Sequence, residues 1–279
     1  MTHSCDVFGI SRQAYYKQIH SAKQKQAYAE YIISKVQDIR VIMPKLGTRK
    51  LYHLLGSSLH IGRDKLFSIL RANKMLIKPV RSYIKTTMSK HWLRKHPNLL
   101  KDIVINGPEQ VFVSDITYIK SKQKMHYLSL ITDAYSRKIV GHHLSDDLGA
   151  ESVSKALKMA VKNRMYKQPL IHHSDRGLQY CSDLYQKLLV KNKIIPSMTD
   201  GYDCYQNALA ERINGILKQE FLFNRCSNYQ DLNLLIKQSI DLYNNKRPHL
   251  ALNMKTPNFI HLKQKTDGNK SIGSYNILI

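Results

Sequence analysis

Three carboxylates, far apart in the chain, carry the chemistry most worth following. Asp115 sits in the middle of VFVSDITYIK, a run of β-branched and aromatic residues that predicts a strand. Alternate residues of a strand share a face, so Val111, Val113, Asp115, Thr117 and Ile119 lie together. A charge among them must find a partner or a cleft, because an unpaired buried charge is costly. Asp175 follows the short strand PLIHHS and precedes Gly177, where the chain can turn, which puts it at a strand end. Glu211 stands in NALAERINGILK, where Asn207, Glu211, Asn214 and Lys218 recur at helical spacing and make one polar stripe. An ordinary solvated helix face gives the same stripe. Convergent carboxylates suit hard divalent cations: Mg2+ or Mn2+ takes oxygen ligands, keeps several waters and lets a phosphate complete its shell. Two such ions, about 3.5–4 Å apart, can activate an attacking oxygen and stabilise a leaving one in an in-line displacement.

The elements that must position these acids follow from pattern. Residues 109–262 open on the Asp115 strand. MHYLSLITDAYSRKIVGHHL then reads as two further strands around a turn near Ala134–Arg137, an antiparallel meander. SVSKALKMAVKNRM is a helix, PLIHHSD a strand, SDLYQKLLVKN a helix and IIPSMT a strand. After the polar loop GYDCYQ come two helices, NALAERINGILKQEFL and NYQDLNLLIKQSIDLYNNK. This order predicts an α/β fold with a mixed sheet flanked by helices. Residues 1–80 read as all-helical. Ser11 is a helix N-cap, and Tyr28, Ile32, Val36, Ile39 and Met43 recur at helical spacing before Pro44. TRKLYHLLGSS, with Leu51, Leu54 and Leu55 on one side, and RDKLFSILRANK are two short helices about a tight turn. They suggest a helix-turn-helix over about 44–80, with Arg63, Lys65, Arg71 and Lys74 facing DNA. A helical bundle with a solvated basic face fits the same pattern. Residues 81–108, with Pro97, Pro108 and the basic run HWLRKH, read as a connector whose end, LLKDIVI, packs onto the sheet domain; 263–279 read as a tail.

Charge narrows the partner. The chain has 279 residues with 44 Lys and Arg against 20 Asp and Glu, a formal net charge of +24. Residues 1–110 carry 20 of the basic residues and only 6 of the acidic ones, so the excess is densest there. Such a balance points to a polyanion, most simply nucleic acid, since Lys and Arg replace the counterions condensed on phosphates. No apolar run is long enough to span a bilayer, and no secretory signal is present at the N-terminus. The cysteines, Cys5, Cys181, Cys204 and Cys226, are scattered without a CxxC pair. That fits a reducing cytosol and neither a disulfide scaffold nor a cysteine zinc site.

VFVSDITYI, DAYSRKIVG, HSDRGLQY, NALAERINGILK and YNNKRPHLALNMKTP, in this order, closely resemble the integrase-core transposases of bacterial insertion sequences, in particular the OrfB type joined to an upstream frame by frameshifting. The 35 residues between Asp175 and Glu211 match that superfamily. The resemblance implies a ribonuclease-H-like fold, metal-dependent DNA strand cleavage and strand transfer at element ends, and Asp115, Asp175 and Glu211 as the ligands of Mg2+ or Mn2+, two ions in the in-line scheme. It implies that Lys218 binds the element's end and that Asn207 belongs to an Asp-Asn-Ala motif in which Gln206 replaces the Asp. Phe112 stands where the family has Trp. It further implies double-stranded DNA as partner, a homo-oligomer on DNA, an upstream-frame partner or fusion, and a bacterial cytoplasmic, nucleoid-associated setting. Attack by water or a 3′-hydroxyl needs no protein nucleophile, so Ser114, Ser174 and Cys204 form no covalent intermediate. His172 and His173, beside Asp175, either hydrogen-bond a carboxylate or phosphate or pack in the strand, and Arg247 and His249 are structural or DNA-facing. The alternative to a transposase is a DNA-binding regulator or inactive remnant that uses the helix-turn-helix alone.

Overall fold

The computed structural model describes residues 7–78, 93–101, 103–200, 207–223 and 225–266. Cys5, the first part of the connector (81–92), the loop at 201–206 with Cys204 and Gln206, and residues 267–279 lie outside the described residues. The chain divides into two compact units, Met1–Lys78 and Pro79–Ile279.

The first unit is helical. Helix α1 (Arg12–Ile42) starts where the Ser11 hydroxyl accepts the Ala14 N–H at 3.1 Å, the expected cap, and runs on well before the periodic stretch at Tyr28. Its Ile32 and Val36 are buried with Leu51 and Leu55 of α2 (Thr48–Leu55) and Leu66 and Leu70 of α3 (Arg63–Ala72). Leu54 is 42% exposed instead of joining that face, because Leu51 and Leu55 at i and i+4 already define the buried stripe. Arg40 ties the unit's end down, its guanidinium donating to the Met75 carbonyl at 2.8 Å. A single 3-10 turn, Gly56–Ser58, and a short bend separate α2 from α3.

The second unit is built on a five-stranded sheet in the order β3-β2-β1-β4-β5. Strands β1 (Val111–Lys120), β2 (Met125–Asp133) and β3 (Ile139–Ser145) form the expected antiparallel meander. Strands β4 (Leu170–Ser174) and β5 (Ile194–Met198) add on in parallel beyond β1. Helices α4 (Ala150–Lys162), α5 (Leu178–Cys181) and α6 (Asp183–Lys191) contribute Val153, Leu157, Tyr180, Tyr185 and Leu189 to a core with Phe112, Ile131 and Ile194. A second cluster joins Val111, Val113 and Ala134 to Ala210 of α7 (Ala208–Ile216), Leu252, and Ile260 of α9 (Pro257–Thr266). Phe112 and its neighbours Val111 and Val113 thus serve opposite cores, as strand alternation requires. Leu100 and Ile105 of the connector's end belong to the second cluster, and the Leu99 N–H donates to Ser197 Oγ at 3.0 Å.

Two features depart from the pattern reading. The single helix expected over 207–222 stops at Ile216 and continues as a π-helical turn, Leu217–Phe221, closed by the Leu222 N–H on the Leu217 carbonyl at 2.8 Å. Helices α5 and α9 add to the elements that the pattern predicts: α5 is a single turn and α9 follows Pro257, both too short or too polar to show helical periodicity. Helix α8 (Tyr229–Asn245) is the expected last long helix, capped by Asn228 on the Asp231 N–H.

Candidate active site

Sheet register brings the first two acids together. β1 and β4 run parallel with Val113 opposite His173, so Asp115 and Asp175 each stand two residues further on at the same level of the seam. Asp115 lies on the face of β1 that α7 covers, where Asn207 at the start of α7 donates its side-chain N–H to the Ser114 carbonyl at 3.1 Å. That contact fixes the beginning of the helix against β1, and Glu211 follows one turn on.

Electrostatics show that the three carboxyls feel one another. Burial first, and then the charge of Asp175, push Asp115 up to about 7; Glu211 adds to the rise, while hydrogen bonds from Asn214 and the Ile116 N–H oppose it. Glu211 is raised as well, by partial burial of its carboxyl and by Asp175. Lys218, half-buried in the π-helical turn, is lowered by burial, and Asp115 pulls it back. The stripe of Asn207, Glu211, Asn214 and Lys218 therefore faces the acids rather than bulk solvent alone. Asn214 has a definite task that spacing alone does not assign: it donates to Asp115 Oδ2 at 2.7 Å, and the Ile116 N–H takes Oδ1 at 2.9 Å, so the carboxylate plane is held from both sides. The carboxamide oxygens of both Asn207 and Asn214 are buried, with no hydrogen-bond partner among the described residues.

This donor set fits a hard divalent cation. All three acids supply oxygen only, and burial, then neighbouring negative charge, raises two of them, a cost that a cation bound by them would offset. Among the described residues no three His, Cys, Asp or Glu side chains are drawn into a finished ligand cage. Asp115 Oδ2 is instead occupied by the Asn214 amide, and Asp175 Oδ1 by the Gly177 N–H at 3.0 Å.

The residues around the acids are turned inward. Ser114 Oγ is buried 3.1 Å from the Tyr180 hydroxyl and 3.2 Å from the Leu130 carbonyl, and Ser174 donates to the Asp175 carbonyl. Cys181 is pushed up to about 11 by burial and by Asp175, the reverse of an activated thiol. Both strand histidines are buried. His172 is buried against the Tyr185 hydroxyl at 2.8 Å and driven down to about 3 by burial, and His173 Nδ1 lies 2.9 Å from Ser197 Oγ. Arg247 and His249 are buried and structural: Arg247 grips Glu220 through two bonds of 2.6 and 2.7 Å, with His249 Nε2 at 3.0 Å.

Arg63, Lys65 and Arg71 are exposed on α3, Arg63 paired to the neighbouring Asp64 at 2.9 Å, and Lys74 lies past the helix end with φ of 55°.

Two models, both described as integrase core domain, match residues 105–204 and 192–257, a span that contains all three acids. The chain is 34% identical over 260 residues to an uncharacterized 31 kDa protein of insertion element IS600 from Shigella sonnei, covering 91% of this chain and 95% of that one. It is 27% identical over 252 residues to the transposase for insertion sequence element IS629 from the same species, covering 87% and 85%. Among solved structures it is similar to a chain of the simian T-cell lymphotropic virus intasome in complex with PP2A regulatory subunit B56 gamma. That likeness has a TM-score of 0.50 at 17% identity and covers 77% of this chain and 70% of that chain, and it establishes the integrase-like, ribonuclease-H-like fold.

Proposed function

Because the chain belongs to the insertion-sequence transposases that carry an integrase catalytic core, we propose that Asp115, Asp175 and Glu211 form the site at which it cuts and joins DNA. Proteins with this core are polynucleotidyl transferases and use a divalent metal. The observation that carries the assignment is the mutual electrostatic coupling of the three carboxyls across β1, β4 and α7. A divalent cation, Mg2+ or Mn2+ and two of them in the in-line scheme, would polarise the phosphodiester and favour the attacking oxygen's deprotonated form when bound there. The chain's own residues do the rest. The three acids hold the charge, Asn214 and the Ile116 N–H fix the plane of Asp115, and Lys218 takes a phosphate of the element's end beside it. Asn207 anchors the helix that carries Glu211. No side-chain nucleophile is required, consistent with the inward-turned Ser114 and Ser174.

The partners in this reading are double-stranded DNA, as element ends and target, and a second copy of the chain on that DNA, with a segment from an upstream frame completing the working protein. Residues 44–80 would act as a helix-turn-helix reading the end through Arg63, Lys65, Arg71 and Lys74, in the bacterial cytoplasm on the nucleoid. The domain division 1–80, 81–108, 109–262 and 263–279 goes with it. Among the described residues no helix is long and apolar enough to cross a membrane.

The test is strand transfer by the purified chain on labelled duplexes carrying the ends of its element, with Mg2+ or Mn2+ and an Asp175→Asn control. Metal-dependent cleavage with joined products, both lost in the control, is the expected result. Cleaved ends without joining would reduce the assignment to a nuclease. No metal-dependent cleavage at all would favour a DNA-binding regulator acting through residues 44–80.

A further inference from the structure

We propose that Arg247 and Glu220 are positioning residues that aim Lys218 at the DNA, an inference that rests on the phosphate contact assigned to Lys218 above. The segment after α8 brings Arg247 under the π-helical turn, where its guanidinium meets Glu220 fork to fork: Nε donates to Oε2 at 2.7 Å and Nη2 to Oε1 at 2.6 Å. The pair is withdrawn from water, the Arg247 side chain being 3% exposed and the Glu220 side chain 17%. The remaining guanidinium nitrogen, Nη1, lies 3.0 Å from His249 Nε2 and 3.4 Å from the Pro248 carbonyl oxygen. His249 in turn packs edge-on against Tyr243, with ring centroids 4.9 Å apart, and the Tyr243 hydroxyl donates to the Arg137 carbonyl at 3.0 Å in the turn between β2 and β3. A chain of contacts thus runs from the sheet's hairpin to Glu220.

Residues two apart on a helical turn point to nearly opposite sides. Holding Glu220 into this buried socket therefore turns Lys218 the other way, while Leu217 and Phe221 are buried beside it. The π-helical geometry adds to the effect, since the extra residue in the turn shifts everything after Ile216 from the line an α-helix would follow. A buried ion pair is a poor way to gain stability compared with apolar packing. What the bidentate fork adds is a fixed geometry, and the group two residues away whose geometry matters is Lys218.

The experiment is a double-mutant cycle in the full chain, read as affinity for a fluorescein-labelled blunt-ended DNA duplex across a range of salt. Lys218→Ala should weaken binding and lower the slope of log affinity against log salt by about one, the signature of one lost phosphate contact. Glu220→Gln and Arg247→Lys should each lower the slope similarly, and neither should weaken binding further when Lys218 is already Ala. Arg247→Lys keeps the charge and loses the fork; where it fails to give a cooperative thermal transition, Glu220→Gln, which preserves side-chain shape, decides. Folded clamp variants with an unchanged slope, or with the same loss of affinity on both backgrounds, would overturn the inference. A Lys218→Ala chain that binds like the parent would instead remove the contact assigned to Lys218. That arm holds no clamp substitution, so the two failures are told apart.

Discussion

At the scale of the residue, Asp115 is a costly group to bury. It is driven up to about 7 by burial and by two neighbouring acids, and only the Asn214 amide and one backbone N–H offset this. Folding therefore works against that charge. Asp115→Asn should abolish the metal-dependent cleavage yet, in the absence of a divalent cation, raise thermal stability near neutral pH, by about 1 kcal/mol. Unfolding of the two proteins in chelator checks this, and a variant less stable than the parent would show that the carboxyls do not repel as described. The acids themselves were legible in the sequence, because a carboxylate inside a β-branched strand, one at a strand end and one in a polar helical stripe are each locally out of place. Asn214 was visible only as a member of that stripe, since its donation to Asp115 depends on how α7 crosses β1. Arg247 and Glu220 were not legible as a pair, because nothing in the spacing of residues 27 apart says that they meet.

At the scale of the element, the meander and the alternating strands and helices could be read from periodicity, whereas the π-helical turn and the one-turn α5 could not. Departures from helical regularity leave no mark on a hydrophobic pattern. Close approach is equally invisible until the sheet is assembled. A Cβ added at Gly141 of β3 would sit 2.3 Å from the Ala156 carbonyl oxygen and 2.9 Å from the Ala160 Cβ, both on α4. Gly141→Ala should therefore push α4 off the sheet and cost about 2–3 kcal/mol, measurable by chemical denaturation. An unchanged midpoint would mean that α4 packs with slack. A third element-level device ties α9 to the sheet. His261 lies 3.3 Å from Glu109 and 3.4 Å from Asp133, with Ser136 alongside and Lys138 nearby. Burial alone would lower this imidazole, but its hydrogen bonds to Asp133 and Glu109 reverse that and leave it raised. A histidine raised in the folded state contributes stability that is full below its ordinary value near 6.5 and is lost as pH climbs through the raised one. The melting temperature should thus fall above neutral pH, and His261→Gln should flatten that fall. Equal slopes in both proteins would place the titrating group elsewhere.

At the scale of the whole molecule, a small anionic site is set in a chain of net charge +24, and the two are complementary. On the proposed function the acids would concentrate cations at one point, while the basic excess, densest in residues 1–110, would hold the phosphate backbone. Recognition of a particular end needs more than this field, and the proposed helix-turn-helix would supply it through α3, in which Leu66 and Leu70 are buried and Arg63, Lys65 and Arg71 exposed. The ion pair between Arg63 and Asp64 does not prevent that role, since both side chains are mostly exposed and such a pair is worth little against a phosphate. Charge reversal at Arg63 and Arg71 should weaken binding to the element's terminal repeat and erase most of the preference over unrelated duplex. The same substitutions at Lys155 and Lys158 of α4 should lower affinity for both duplexes alike, because they change the field and not the reading helix. Competition binding at moderate salt separates the outcomes: equal preference for the repeat before and after reversal at Arg63 and Arg71 would take the recognition role away from α3 and leave the first unit a basic clamp without sequence preference.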